Sequence, residues 1–256
     1  MGAPVQTIAR ALTVVVVAGG LTFGHVVGAA ASSSRAAPVA APTPTVTLSD
    51  RRTISRWAHA RQPATVRAAP STRARAVGRL RFLTEDDQAE VYLALRKRRV
   101  GRADAVWIEV ALPQRPNGTT GWVRAGALAR LHVVRGRLVV RRSQLRATLY
   151  DGSERAIWSA PVAIGAAATP TPAGRFYVRE KLRAIGTPDY GPYAIGTSAY
   201  APTLSDWPGG GVVGVHGTNE PQLIPGRPSH GCIRLRNDDV TRLWRLIAIG
   251  TPVEVV

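Results

Sequence analysis

The feature that most constrains the fold is a succession of short apolar segments separated by turn residues. Residues 106–110 alternate apolar and polar side chains, and Pro116-Asn117-Gly118 follows as a turn signal. The pattern becomes denser after residue 132, where Asp151-Gly152 separates two further apolar segments. This succession predicts a mainly β chain with little helix.

Only two segments favour a helix. Near the C-terminus, Asn237-Asp238-Asp239 supplies N-cap candidates and negative charge for a first turn. The apolar residues that follow have helical spacing, i, i+3, i+4 and i+7: Val240, Leu243, Trp244 and Ile247. Gly250 and Pro252 end this helix, and residues 253–256 are predicted as a last strand. A second, short helix is expected within residues 51–62.

The N-terminus has the layout of an export signal. Residues 11–27 carry no acidic or basic residue except His25, Arg10 precedes them, and small residues follow. This predicts a cleaved signal peptide or an uncleaved signal anchor over residues 1–31. Residues 32–63 then form an Ala/Pro-rich linker with the short helix, residues 64–131 a small β module, and residues 132–256 a second β-rich domain.

The chain is strongly basic. It has 34 Lys and Arg against 16 Asp and Glu, a formal net charge of +18. Such a charge favours a polyanion: nucleic acid, an anionic membrane surface or an acidic wall polymer. Because export removes the chain from the cytoplasm, we expect no nucleic-acid partner, and membrane contact only through a possible N-terminal anchor.

The single cysteine, Cys232, lies within a segment that favours nucleophilic catalysis. His230 is two residues before it and His216 sixteen residues before it. An imidazole can accept the proton of a thiol, and Gly231 permits a tight turn whose N–H groups could stabilise an oxyanion. The competing interpretation is a zinc site formed by His216, His230 and Cys232. No CxxC or HxxxH pair accompanies them, so we expect neither metal nor cofactor.

These residues belong to longer motifs that resemble a known family. The motifs are HGT at 216–218, SHGCIRLRNDDV at 229–240, GTPVEV at 250–255, and TPTPAGRF at 169–176. They resemble the L,D-transpeptidase (YkuD-type) catalytic domain, and the resemblance covers residues 131–256. It implies a YkuD-type β-rich catalytic domain with one C-terminal helix. Upstream, VRAAPS at 66–71 and GWV at 121–123 resemble bacterial SH3-like modules, which implies a small SH3-like β-barrel before that domain.

The resemblance implies a peptidoglycan L,D-transpeptidase that forms 3–3 crosslinks. Cys232 would attack a tetrapeptide donor stem to give a thioester, and His216 would be the general base, oriented by the carbonyl of Gly217. The backbone N–H groups of His230, Gly231 and Cys232 are implied oxyanion donors. The resemblance also implies site-shaping roles for Ser229, Arg234 and Asn237. It places Tyr193 in a substrate lid.

Two other functions are compatible with the same residues. Water could resolve the thioester, which would make the protein an L,D-carboxypeptidase or a murein hydrolase. Alternatively, the chain could be a non-catalytic wall-binding protein dominated by its basic surface. In the transpeptidase interpretation the partners are peptidoglycan stem peptides, and carbapenem-type β-lactams are the expected covalent inhibitors. The protein is expected to be exported and to act at the cell wall.

Overall fold

A computed structural model describes residues 44–101, 105–183, 188–204 and 208–256. The predicted signal peptide or anchor, and the linker up to residue 43, lie outside these ranges. Within them, no helix has the length and apolarity needed to cross a membrane. The prediction of a mainly β chain is confirmed, because eighteen strands and one α-helix make up the regular structure of the described residues, apart from short 3-10 turns.

The N-terminal part of the described chain forms one eight-stranded sheet. Seven strands follow in the order β4-β3-β7-β6-β5-β2-β8, and β1 pairs with β5. The strands are β1 (Val46–Thr47), β2 (Ile54–Ala58), β3 (Thr65–Arg67), β4 (Ala76–Arg79), β5 (Tyr92–Val100), β6 (Ala105–Ala111), β7 (Thr120–Arg124) and β8 (His132–Arg135). The sheet therefore includes β1, β2 and β8, which lie outside the bounds predicted for the SH3-like module. The SH3-like assignment stays a prediction.

The short helix expected within residues 51–62 is wrong, because this segment contains β2. Trp57 pairs with Leu93 of β5 on one side and with His132 of β8 on the other. Before the strand, the Asp50 carboxylate accepts hydrogen bonds from the N–H groups of Arg52, Thr53 and Ile54, which closes a turn instead of starting a helix. Pairing on both edges outweighs the weak helical spacing of this segment.

The C-terminal part forms a ten-stranded mixed sheet in the order β11-β10-β9-β18-β13-β14-β15-β17-β12-β16. Its strands are β9 (Arg137–Arg141), β10 (Arg146–Tyr150), β11 (Ala156–Pro161), β12 (Ala163–Gly165), β13 (Gly174–Arg183), β14 (Tyr193–Tyr200), β15 (Val212–His216), β16 (Gly226–Ser229), β17 (Ile233–Arg234) and β18 (Pro252–Val255). The predicted C-terminal helix is confirmed as α1, Asn237–Leu246. It buries Val240 and Leu243 in the core of this sheet.

Buried polar groups join the two sheets. The side chains of Glu90 and Arg179 are both fully buried, and Arg179 Nη2 lies 2.5 Å from Glu90 Oε2. The hydroxyl of Tyr177 on β13 donates to the carbonyl oxygen of Val91 at 2.9 Å, and it packs in an apolar cluster with Leu93. Both sheets lie within one compact unit, Pro42–Val256.

Candidate active site

Cys232 and His216 come together because their two strands are neighbours. β15 ends at His216, and β17 begins directly after Cys232. The strands pair in parallel, with Val215 opposite Ile233 and His216 opposite Arg234. Both side chains line the same cavity of about 370 Å³. Residues far apart in sequence thus share a concave site, as a nucleophile and its base must.

The thiol of Cys232 is protonated at rest. The residue is half-buried, and burial raises the pKa of its thiol, against the smaller lowering effects of the Gly214 N–H and of Arg234. The Gly214 N–H donates to Sγ with an N–S distance of 3.5 Å. A thiol with a raised pKa needs a base to form the nucleophilic thiolate. The hydrogen bond from the Gly214 N–H would stabilise that thiolate.

His216 is placed to serve as that base. Its side chain is buried, and Nδ1 lies 2.6 Å from the carbonyl oxygen of Gly217. Because a carbonyl only accepts, Nδ1 carries the proton and Nε2 is left as an acceptor. Burial, together with the charge of Arg234, lowers the pKa of His216 to about 4, although the Gly217 hydrogen bond acts in the opposite direction. The ring is therefore neutral near pH 7 and able to take a proton.

The turn before Cys232 is held by two buried hydroxyl groups. Ser229 Oγ donates to the Cys232 carbonyl at 2.6 Å and accepts from the Gly231 N–H at 3.2 Å. Thr171 Oγ1 donates to the Gly231 carbonyl at 2.8 Å and accepts from the Gly165 N–H at 2.9 Å. Since the Gly231 N–H already donates to Ser229 Oγ, it is a weaker oxyanion-hole candidate than the resemblance implies.

The other predicted site residues have different positions. His230 is exposed and lines the cavity. Arg234 also lines it, with Nη1 paired to Oε2 of Glu220 at 2.8 Å. Asn237 acts on the backbone, because its Oδ1 accepts the N–H of Thr218 at 2.9 Å and fastens the segment that follows His216.

Tyr193 does not lie at the cavity. Its ring stacks on Trp244 of α1, with a centroid separation of 4.7 Å. Tyr190, three residues earlier, lines the cavity instead and packs on the His216 ring at 4.5 Å. Tyr193 is the first residue of β14, where the strand packs against the helix. The segment DYGPY offers two tyrosines, and only the packing of α1 distinguishes them.

A family model described as the L,D-transpeptidase catalytic domain, YkuD, matches residues 135–255. "Putative L,D-transpeptidase YkuD" of Bacillus subtilis is 34% identical over 103 residues, which are 40% of this chain and 56% of that protein. "Putative L,D-transpeptidase YqjB" of the same organism is 33% identical over 127 residues, covering 45% of this chain and 68% of that protein.

The match to solved structures is weaker. The catalytic domain of an L,D-transpeptidase from E. faecium is 24% identical and covers 47% of this chain and 96% of its own, with a TM-score of 0.36. That score is too low to carry an argument. The chain spans little more than half the length of the first curated relatives, 56% and 57%.

Proposed function

Because this chain belongs to the L,D-transpeptidase family through its YkuD catalytic domain, we propose that it forms 3–3 peptidoglycan crosslinks through a thioester on Cys232. One observation carries the proposal: Cys232 and a neutral His216 line the same cavity, and Nδ1 of His216 is held by the Gly217 carbonyl. Because Nδ1 carries the proton, Nε2 of His216 can accept the proton of the Cys232 thiol.

In the first half-reaction, His216 Nε2 accepts the proton of the Cys232 thiol. The thiolate attacks the carbonyl between the third residue and the terminal D-alanine of a tetrapeptide stem. The oxyanion of the tetrahedral intermediate is stabilised by backbone N–H groups of the turn that ends at Cys232. When the C–N bond breaks, the amine of D-alanine takes the proton back from His216, and a thioester is left.

In the second half-reaction, the side-chain amine of a diamino acid on a neighbouring stem attacks the thioester. His216 accepts a proton from this amine, the C–S bond breaks, and the sulfur of Cys232 is protonated again. Acyl exchange conserves the energy of the original amide, so the reaction needs no nucleotide. Water in place of the amine would give a tripeptide, which is the product of an L,D-carboxypeptidase.

The test is incubation of the protein with a purified disaccharide-tetrapeptide, followed by mass spectrometry of the products. We expect a dimer lighter by one D-alanine, and no product with Cys232→Ala. A tripeptide alone would show that water resolves the thioester. Unchanged substrate with the wild-type protein, or unchanged turnover with Cys232→Ala, would contradict the proposal.

A carbapenem should trap the same thioester chemistry, because its strained β-lactam carbonyl acts as an acyl donor. Cys232 is the only cysteine in the chain, so the intact mass reports on this residue. We expect one adduct on the wild-type protein and none on Cys232→Ala. An adduct of equal yield on both proteins would place the acylation elsewhere.

The substrate of this reaction lies outside the cytoplasmic membrane, and the proposal therefore includes export. Residues 1–31 would act as a signal peptide or as an anchor, and their sequence supports either role. Fractionation of cells that express the full chain checks this directly. Recovery of the protein in the cytoplasmic fraction alone would be incompatible with the proposed substrate.

A further inference from the structure

One wall of the cavity is held from outside the catalytic sheet. This wall, formed by residues 201–204 and 210–212 of the described chain, contributes Ala201, Leu204, Gly211 and Val212 to the lining. It adjoins the nucleophile, since the carbonyl oxygen of Val212 lies 4.0 Å from Sγ of Cys232. The loop between β6 and β7 of the N-terminal sheet contacts this wall through Arg115 and Asn117.

Arg115 binds three carbonyl oxygens of the wall segment. Nη2 donates to Ala201 at 3.1 Å and to Leu204 at 2.9 Å, and Nη1 donates to Gly210 at 3.0 Å. The guanidinium also lies over the ring of Tyr200, 4.8 Å from its centroid. The guanidinium donates from two separate nitrogens in a fixed plane, whereas a lysine would donate from one nitrogen at a different position.

Asn117 fixes the start of the wall by a reciprocal pair of hydrogen bonds. Its Nδ2 donates to the carbonyl of Tyr200 at 2.8 Å, and its Oδ1 accepts the Tyr200 N–H at 2.9 Å. Directly after it, the Ala201 N–H donates to the carbonyl of Gly211 at 2.8 Å and joins the two ends of the wall. The amide therefore continues the β14 hydrogen-bonding pattern into the N-terminal sheet.

The fit at Gly211 shows how closely Arg115 approaches this backbone. Gly211 has a φ of +76°, and a Cβ at this position would meet the carbonyl oxygen of Leu204 first and then Nη2 of Arg115 at 2.7 Å. Only glycine combines this conformation with so close an approach. The wall thus depends on contacts from Arg115 and Asn117 for the hydrogen bonding of its backbone.

We propose that Arg115 and Asn117 are positioning residues for the reaction at Cys232, which makes the N-terminal sheet a functional part of the catalytic site. The choice of substrate for this inference rests on the proposed function. Its structural measurements, which are Cys232 alkylation and hydrogen exchange, do not. Neither side chain lines the cavity; both act through the backbone of the wall. Removal of the hydrogen bonds that hold a surface segment lowers the free energy needed for its local opening.

The test compares Arg115→Gln, Arg115→Lys and Asn117→Ala with a matched control, Arg130→Gln, at an exposed arginine that does not line the cavity. For each full-length variant we would measure four quantities. They are kcat/KM for crosslinking, the rate of Cys232 alkylation by iodoacetamide, hydrogen exchange at the amides of Tyr200 and Ala201, and the melting temperature.

We expect kcat/KM to fall by between about tenfold and a hundredfold in all three variants, the range for a displacement of about 1 Å at a positioned site. The alkylation rate should change, and exchange should accelerate at Tyr200 and Ala201 but not in β9 or β10. The control should match the wild type. Arg115→Lys should remain defective, because it keeps the charge and loses the fork.

Four results would overturn the inference. The first is wild-type kcat/KM and alkylation in Arg115→Gln and Asn117→Ala. The second is full activity of Arg115→Lys, which would mean that charge alone matters. The third is uniformly faster exchange across the chain, which would indicate a general loss of stability. The fourth is an Arg115 variant that fails to fold while Asn117→Ala folds with wild-type activity. A wild-type protein inactive on tetrapeptide would contradict the proposed function instead, and the alkylation and exchange results would still decide this inference.

Discussion

At the scale of single residues, Arg234 influences both partners of the proposed catalytic pair. Its charge lowers the pKa of His216 and also lowers the pKa of the Cys232 thiol. The first effect keeps the base neutral, and the second makes the thiolate easier to form. Burial dominates both groups, however, and it favours the neutral form of each. Burial therefore favours a neutral thiol and a neutral imidazole in the cavity that the two residues share.

Burial of a neutral His216 makes the stability of the protein depend on pH. Its pKa is about 4 in the folded protein, against 6.5 for an unperturbed histidine. Between these values the unfolded chain binds the additional proton, so the contribution of His216 to the free energy of unfolding falls as the pH decreases from 6.5 towards 4. The part due to this residue reaches about 3 kcal/mol at most.

Urea unfolding of the wild type and of His216→Asn at several pH values isolates this effect. Glu180 has a pKa raised to about 7, mainly by burial, and opposes the trend in both proteins, so only the difference between them is informative. We expect the stability of the wild type, relative to His216→Asn, to decrease from pH 6.5 to pH 4. Parallel curves would mean that His216 titrates normally.

At the scale of elements, the turn between β16 and β17 sets the position of the nucleophile. Gly231 has a φ of +121°, which residues with a Cβ rarely adopt. Thr171 and Ser229 bind its carbonyl and N–H, so the turn cannot relax without breaking these buried hydrogen bonds. The positive φ of Gly231 and its hydrogen bonds with Thr171 and Ser229 thus hold the turn in the same conformation.

Substitution of Gly231 by alanine tests this backbone strain separately from steric crowding. A Cβ here would have no neighbour nearer than 3.7 Å, so the expected loss of about 1–3 kcal/mol in unfolding free energy comes from φ alone. Gly214→Ala is the matched control, because its nearest contact is 3.6 Å and its φ is not positive. Equal stability of the two variants, measured by urea unfolding, would contradict the argument.

At the scale of the whole molecule, buried charge joins the two sheets. Glu90 precedes β5, and it accepts hydrogen bonds from both the Nε and the Nη2 of Arg179 on β13. Arg179 also reaches Glu85 at 2.9 Å. A carboxylate and a guanidinium that are both fully buried depend on one another, because neither has water as an alternative partner.

Glu90→Gln should therefore destabilise the entire chain. We expect a loss of about 3 kcal/mol or more in unfolding free energy, since the charge of Arg179 would stay buried with one partner fewer. Both sheets should still unfold in a single transition by near-UV and far-UV circular dichroism. Glu154→Gln, at a more exposed carboxylate paired with Arg52 and Arg137, is the control and should change little. Two separate transitions in the wild type would show that the sheets fold independently.

The sequence alone determined the β-rich class and the C-terminal helix, and it singled out Cys232 and His216, which line one cavity. Alternation, helical spacing and a short specific motif each involve residues that are close in the chain, so they can be read from the sequence without the fold. It failed at residues 51–62, where pairing of Ile54–Ala58 with two strands replaced the expected helix. The resemblance implied a lid role for Tyr193, whereas Tyr190 lines the cavity, because the packing of Tyr193 on Trp244 cannot be read from neighbouring residues.

Only the tertiary structure showed that Arg115 and Asn117, from the N-terminal sheet, hold a wall of the catalytic cavity. These residues lie more than eighty positions from the wall backbone that they bind, in a segment whose sequence indicates only a turn. Their partners are backbone carbonyls, which every residue carries, so no residue type at the wall marks the contact. The sequence identified the groups proposed to react, whereas long-range packing decided which contacts surround them.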